Sequence, residues 1–218
     1  MTDNDIIDSK QANCSKHAHR VFLLFFLLST PLLQAQRYHF HQYIKNSKVG
    51  TLTAQKITDS TRTQYIIDSD VTVNYGLGKI EVIYHAEAFY ENDQLAESRV
   101  RIEKNGELRD YSETWSNGEG YIAQIDGEKN ELPWKEIKYS SLMLYLDEPQ
   151  GIDSVYSESH GRKNALIHEG EGHYKVDVAI NNNINEFQYS AGVLQKAVLD
   201  HWLAAIHLKL IEHDDQQP

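Results

Sequence analysis

Apolar and polar residues alternate along most of the chain from residue 38 onward, and this period of two limits the possible folds more than any other feature of the sequence. In Lys79–His85 and again in Arg99–Glu103, the apolar residues return at every second position. A period of two is typical of β-strands with one buried and one solvated face, whereas a helix repeats every 3.6 residues. The 13 tyrosines and many Thr, Val and Ile residues also favour a pleated surface. The sequence therefore predicts an all-β fold.

Turn signals divide this pattern at short intervals. Asn105-Gly106 and Asp126-Gly127 are typical of two-residue hairpin turns, because these pairs tolerate the positive φ that such turns need. We predict antiparallel strands near residues 38–46, 48–58, 63–75, 79–90, 95–104, 107–115, 120–126, 153–159, 162–168, 173–181 and 184–190. Long strands that follow one another accumulate twist, so we expect a meander that forms a curved sheet, a half-barrel or a barrel.

Two segments leave the period-two pattern. Apolar residues between Trp134 and Leu144 have helical spacing, which predicts one short helix near 135–146 that ends before Pro149. The stretch Val193–Ile211 is ambiguous, because its first part has a helical stripe and its last part alternates strictly. We favour two strands that turn near Asp200.

The N-terminal region has the pattern of a secretory signal. An apolar run from Val21 to Leu33 follows a basic stretch, and the small residue Ala35 suits cleavage. The run is shorter than the roughly 20 residues that span a bilayer, although a membrane anchor is the alternative. We predict a signal peptide over residues 1–35 and a single all-β domain over 36–218. The mature protein is then periplasmic or extracellular, with no stable transmembrane segment.

Cysteine content and charge exclude several classes of function. The only cysteine, Cys14, precedes the apolar run, so cleavage would leave no disulfide and no thiol nucleophile. The formal net charge is −11, whereas a nucleic-acid partner requires a basic face. We therefore expect no nucleic-acid partner.

His168 and His173 suggest a zinc site at first sight, but their spacing opposes it. Zinc-protease helices place two histidines four residues apart, whereas these two are five apart and would lie about 140° apart on a helix. Gly170 and Gly172 disfavour a helix further and predict a hairpin loop. Across such a hairpin the two imidazoles would lie opposite each other. A metal-dependent hydrolase that uses His168, His173 and a neighbouring glutamate remains the alternative function.

No other motif indicates a reaction. Ser157-Glu158-Ser159-His160 lacks the glycines of a nucleophile elbow, and neighbouring residues of a strand point to opposite faces, so Ser159 and His160 would not meet. Gly76-Leu77-Gly78 lacks the Gly-Lys-Ser/Thr of a phosphate loop. We predict a protein that is not an enzyme and that needs no cofactor.

Three stretches of the chain resemble an uncharacterised family of secreted β-rich proteins from Bacteroidota-type bacteria. They are Tyr65–Val71, Leu144–Pro149 with the following Val155–Glu158, and Phe187–Gly192. The resemblance extends over residues 38 to 211 and implies no specific activity. In architecture the chain is also distantly similar to the half-barrels of periplasmic lipoprotein carriers, although a fold alone does not determine a function.

A curved sheet has a concave face, and this leads to a hypothesis about binding. Tyr139, Leu142, Met143 and Tyr145 would lie across the concavity as a lid over an apolar or lipid-like ligand. The alternative is that these side chains fill the core and that the protein is an envelope scaffold or binds an envelope protein. Inward-facing residues have the same composition in both cases.

Overall fold

The computed structural model describes residues 33–76, 78–178, 183–200 and 204–216. It contains 14 strands: β1 (Gln34–Ile44), β2 (Ser47–Thr58), β3 (Arg62–Tyr75), β4 (Gly78–Glu91), β5 (Gln94–Lys104), β6 (Glu107–Ser116), β7 (Tyr121–Ile125), β8 (Glu128–Leu132), β9 (Ser154–Ser157), β10 (Arg162–Gly170), β11 (His173–Val178), β12 (Asn183–Ser190), β13 (Val193–Leu199) and β14 (Ile206–Gln216). Most of the predicted signal peptide lies outside the described residues, but Gln34 and Ala35 begin β1.

All 14 strands form one antiparallel sheet. Its order is β8-β7-β6-β5-β4-β3-β2-β1-β14-β13-β12-β11-β10-β9, so most neighbours in the sheet are also neighbours in the sequence. The exceptions are β1 and β14, which pair over most of their length in the middle of the sheet. The predicted all-β meander with a curved sheet is therefore confirmed. The ladder is not closed: β8 and β9 form the two edges of the described sheet.

The C-terminal stretch consists of two strands, as predicted. β13 and β14 pair from Lys196 opposite Lys209 to Leu199 opposite Ile206. The predicted turn begins at Asp200, but residues 201–203 lie outside the described part of the chain. β8, in contrast, was not expected from the sequence.

The predicted helix near 135–146 is a single 3-10 turn over Met143–Tyr145. The rest of this region has an irregular backbone, and several of its polar groups bond to strands. Leu95 N donates to Ile137 O at 2.9 Å, and Tyr156 N donates to Tyr139 O at 3.1 Å. These tertiary bonds replace the local bonds that a longer helix would need. We name residues 133–153, which connect β8 to β9, the crossing segment.

The crossing segment fills the interior of the curved sheet. Its buried side chains are Ile137, Tyr139, Ser140, Leu142, Leu144 and Leu146. They pack against the inward residues of the strands, such as Phe40, Ile67 and Leu194, in one continuous hydrophobic core. The core thus contains the connection between the two edge strands as well as the sheet itself.

Side chains bring the β9 edge against the inner face of β6 and β7. Ser112 Oγ donates to the backbone oxygen of Glu158 at 2.9 Å. Thr114 Oγ1 and the Tyr156 hydroxyl lie 2.6 Å apart. Gly161 lies so close to Ala123 that an added Cβ would come within 3.3 Å of it. Side-chain contacts therefore join β9 to β6 and β7, which no hydrogen bonds of the described strand ladder connect.

Candidate functional site

Buried and half-buried tyrosines hold the crossing segment in place. The Tyr189 hydroxyl donates to Leu144 O at 2.5 Å, and the Tyr139 hydroxyl donates to Asp147 O at 2.5 Å. From β3, the Tyr65 hydroxyl donates to Asp147 Oδ2 at 2.5 Å. A hydrogen bond of this kind contributes about 1 kcal/mol, and more when one partner is charged. The segment is therefore fixed from both halves of the sheet.

The Asp147 carboxylate also has a cationic partner. Lys56 Nζ lies 2.7 Å from Asp147 Oδ1, and about a quarter of each side chain is exposed, 24% and 28%. Next to it, the Tyr174 hydroxyl donates to Glu148 Oε1 at 3.0 Å. Strands β2, β3 and β11 thus converge on the end of the crossing segment.

Glu158 is a fully buried carboxyl group that contacts the crossing segment. Only 1% of the residue is exposed. Ser141 Oγ donates to its Oε2, and Leu142 N donates to its Oε1 at 3.4 Å. Burial raises the pKa of Glu158 above its usual value, and these hydrogen bonds oppose the rise only in part.

The four residues predicted as a lid do not share one environment. Tyr139 and Leu142 are buried, with 8% and 1% exposed. Met143 and Tyr145 are half-buried and pack against the same core. Of the four, Tyr145 is the one that lines the cavity described next. Their predicted role in ligand binding stays a prediction.

A cavity of about 140 Å³ lies between the crossing segment and strands β9–β13. One part of its wall is apolar or aromatic and the other part is polar. The apolar part consists of Leu144, Tyr145, Val155, Val176, Val178, Phe187 and Leu199. The polar part consists of Ser141, Ser157, His160, Asn164 and Asn185. The cavity is thus amphipathic.

Two polar residues of the wall meet in a way that the sequence did not indicate. β9 ends at Ser157, and a turn over residues 158–161 brings His160 back toward it. Ser157 Oγ and His160 Nδ1 lie 3.0 Å apart. Burial lowers the pKa of His160 below its usual value, which favours the neutral imidazole. The adjacent Glu158 carboxylate is bonded to Ser141 and Leu142 rather than to His160.

Asn164 adds an unsatisfied acceptor to this wall. The residue is 6% exposed, and its side-chain oxygen has no hydrogen-bond partner among the described residues. A buried polar atom without a partner costs about 1–3 kcal/mol. Since Asn164 lines the cavity, a bound donor is one way to recover this free energy.

The hairpin that contains His168 and His173 is confirmed, but its predicted register is wrong. Its turn is Glu171-Gly172, His168 lies opposite Tyr174, and His173 lies opposite Gly170. The reason is an irregularity in the ladder after His168, which offsets the two strands. The His168 ring stacks on the Tyr174 ring, with centroids 4.7 Å apart. Among the residues that the structure describes, no three His, Cys, Asp or Glu side chains are grouped to hold a metal ion.

In the described ranges, no helix is long and apolar enough to span a membrane.

Comparison with known proteins identifies the family. Residues 40–211 match the domain of unknown function DUF6134. The chain belongs to this family. A comparison with curated proteins finds no match.

One solved structure that is similar to this chain is the crystal structure of a β-barrel-like protein of domain of unknown function DUF1849 from Brucella abortus. The two sequences are 12% identical, and the TM-score is 0.47. The alignment covers 85% of this chain and 98% of that chain.

Proposed function

We propose that this DUF6134 protein is an exported, non-catalytic binding protein that holds a small, uncharged amphipathic molecule in the cavity behind the crossing segment. The observation that supports this most directly is that apolar residues and polar residues both line the cavity, and that one of the polar residues, Asn164, has an unpaired side-chain oxygen. Binding sites for small molecules typically combine apolar walls with a few convergent polar groups.

The volume limits the size of the ligand. About 140 Å³ is close to the roughly 150 Å³ of an engineered apolar cavity that binds benzene. It is well below the roughly 300–1,000 Å³ of sites for drug-sized ligands. The cavity therefore suits one aromatic ring or a short acyl chain.

A longer, lipid-like ligand requires the crossing segment to move. Tyr139, Leu142, Met143 and Tyr145 would then leave the core together and act as the predicted lid. Such a movement would break the bonds that Tyr189 and Tyr65 of the sheet donate to the segment. We propose this lid mode only for ligands that are too large for the cavity.

The polar part of the wall favours an uncharged donor. The lowered pKa of His160 favours its neutral form, and Ser157 Oγ already lies within hydrogen-bonding distance of it. The wall thus presents no full charge to the cavity, while the Asn164 oxygen lacks a donor. A hydroxyl group on the ligand satisfies this oxygen without adding a buried charge.

Titration with phenol and toluene tests the proposal, because the two probes have similar shape and differ in one hydroxyl. We expect both to shift amide resonances of Val176 and Phe187, and phenol to bind more tightly. Asn164→Leu preserves the volume and removes the acceptor. It should weaken phenol about tenfold, or about 1.4 kcal/mol, and leave toluene unchanged.

A filling variant provides the second arm. Val176→Phe places a ring in the cavity and should abolish binding of both probes, whereas Ile83→Phe adds a ring on the exposed outer face and should not. Absence of binding by the wild-type protein, or equal binding by Val176→Phe, would overturn the proposal. Uptake of a fluorescent long-chain fatty acid by the wild type would indicate the lid mode.

A further inference from the structure

The outer face of the sheet has a groove lined by unpaired lysines, at the place where β1, β14 and β13 lie side by side. The groove has a volume of about 630 Å³, and its polar lining includes Tyr43, Lys45, Asn46, Lys196, His207 and Lys209. Lys45, Lys196, His207 and Lys209 are exposed. The groove is on the opposite face of the sheet from the cavity, since the intervening Ala197 and Leu208 are buried in the core.

The strand register places like charges next to each other. Lys196 of β13 lies directly opposite Lys209 of β14. Like charges in directly opposed positions destabilise a sheet. The arrangement therefore costs stability unless an anion lies between the lysines.

Some lysines elsewhere on the sheet have carboxylate partners. Lys56 pairs with Asp147, Lys79 with Glu81, and Lys175 with both Glu169 and Glu186. Lys45, Lys196 and Lys209, like several other lysines of the described sheet, make no ion pair with any described residue. What distinguishes the three is that they line one groove.

The carboxylates nearest in the ladder do not neutralise the groove. Glu186 lies opposite Val198 but is 3.6 Å from Lys175. Glu212 lies opposite His39, beyond the irregularity that separates that pair from Phe40. At physiological ionic strength the Debye length is about 8 Å, so the more distant acidic residues are largely screened. Neither of these two carboxylates forms an ion pair with a lysine of the groove.

We propose that this groove binds a phosphate-bearing headgroup. Three ammonium groups match a dianionic phosphoryl group better than they match a single carboxylate, and lysine binds phosphate as a point charge. The volume exceeds that of the amphipathic cavity more than fourfold, so the groove accommodates a phosphate together with the group that carries it. The ring of Tyr43, whose hydroxyl is its polar end, and the side chain of Val198 provide an apolar flank for that group.

The phosphate can be presented by a lipid surface or by a soluble molecule, and two probes distinguish these sources. Vesicles that contain phosphatidylglycerol are compared with neutral phosphatidylcholine vesicles in a sedimentation assay, and glycerol 3-phosphate is titrated in solution. Binding of either phosphate probe, weakened by added salt, is the expected result. Retention on the anionic vesicles alone indicates a lipid surface. Absence of binding to both probes would overturn the proposal.

Charge-matched variants locate the site. Lys196→Gln combined with Lys209→Gln should weaken binding at least tenfold, and it should not lower the melting temperature, because it removes an opposed pair of like charges. Lys79→Gln combined with Lys104→Gln removes the same charge on β4 and β5 and should leave binding within about twofold. Equal loss by both double variants would show a nonspecific charge effect and would refute the assignment.

Discussion

The hydrogen bond between Tyr189 and the crossing segment offers the sharpest test of the fold. Tyr189→Phe removes only the hydroxyl, whose partner Leu144 O is 2.5 Å away. Tyr189 and Leu144 are 4% and 2% exposed, so water does not replace the lost donor. Leaving a buried acceptor without a partner costs about 1–3 kcal/mol, and we expect about 2 kcal/mol here.

This cost corresponds to a measurable change in stability. For a domain of this size, about 2 kcal/mol lowers the melting temperature by roughly 4–8 °C. Urea unfolding followed by near-UV circular dichroism should show a lower midpoint with an unchanged slope, since the folded surface stays the same. Hydrogen exchange should also accelerate at Leu146 and Asp147, whose amides both donate to Met143 O.

Tyr43→Phe is the matched control, because its hydroxyl lies on the outer face, 3.3 Å from His41 Nδ1. That change should alter the free energy of unfolding by less than about 0.5 kcal/mol. If Tyr189→Phe changes the free energy of unfolding as little as Tyr43→Phe does, the Tyr189 hydroxyl does not hold the crossing segment in place. The argument that the segment is a fixed wall of the cavity then fails.

Three further predictions concern other parts of the chain. Because burial raises the pKa of Glu158 above its usual value of about 4.5, this group makes its full contribution to stability below about pH 4.5 and loses it as the pH rises through the raised pKa. The free energy of unfolding of the wild type, relative to that of Glu158→Gln, should therefore be highest near pH 4 and fall toward pH 8. A difference that does not depend on pH would refute this prediction. Gly172→Ala should lower the free energy of unfolding by more than about 1 kcal/mol, since φ is +75° and the added Cβ would lie 2.6 Å from Tyr189 O. Gly127→Ala is the control: its φ is +89° and no atom lies within 4 Å of the added Cβ, so it measures the cost of the backbone conformation alone. N-terminal sequencing of the protein from a periplasmic fraction should begin near Gln36, whereas residues 1–35 retained in a membrane fraction would indicate an anchor.

The strands were predictable because their signal is local. Alternation and turn residues within each stretch determine which face is buried, and β4 or β5 can be read without knowledge of the rest. β8 was missed for the opposite reason. Its sequence, Glu128-Lys129-Asn130-Glu131-Leu132, contains one apolar residue, and its first four residues are exposed at a sheet edge. Charged residues on an edge strand prevent pairing with other chains, but they also remove the alternation.

The cavity was harder to predict because it depends on contacts between distant residues. The irregular backbone of the crossing segment depends on bonds to Leu95 and Tyr156, which no local pattern reveals. The approach of Ser157 to His160 was missed because the strand was extended to residue 159. Gly161, with φ +61°, was the available signal for a turn at that point.

The pairing of β1 with β14 has a consequence for the order of the chain. Ala35 lies opposite Gln216, so a short hairpin turn is enough to join these two ends. If the chain is then opened between β8 and the crossing segment, the resulting circular permutant runs through β9 to β14 and on through β1 to β8. In that order every strand follows its spatial neighbour from one edge to the other. The natural order therefore differs from a continuous meander only in where the chain begins and ends. In the natural protein, the pairing of β1 with β14 joins the most distant parts of the described chain and has the highest cost of loop closure in folding. In the permutant, the same pairing becomes local.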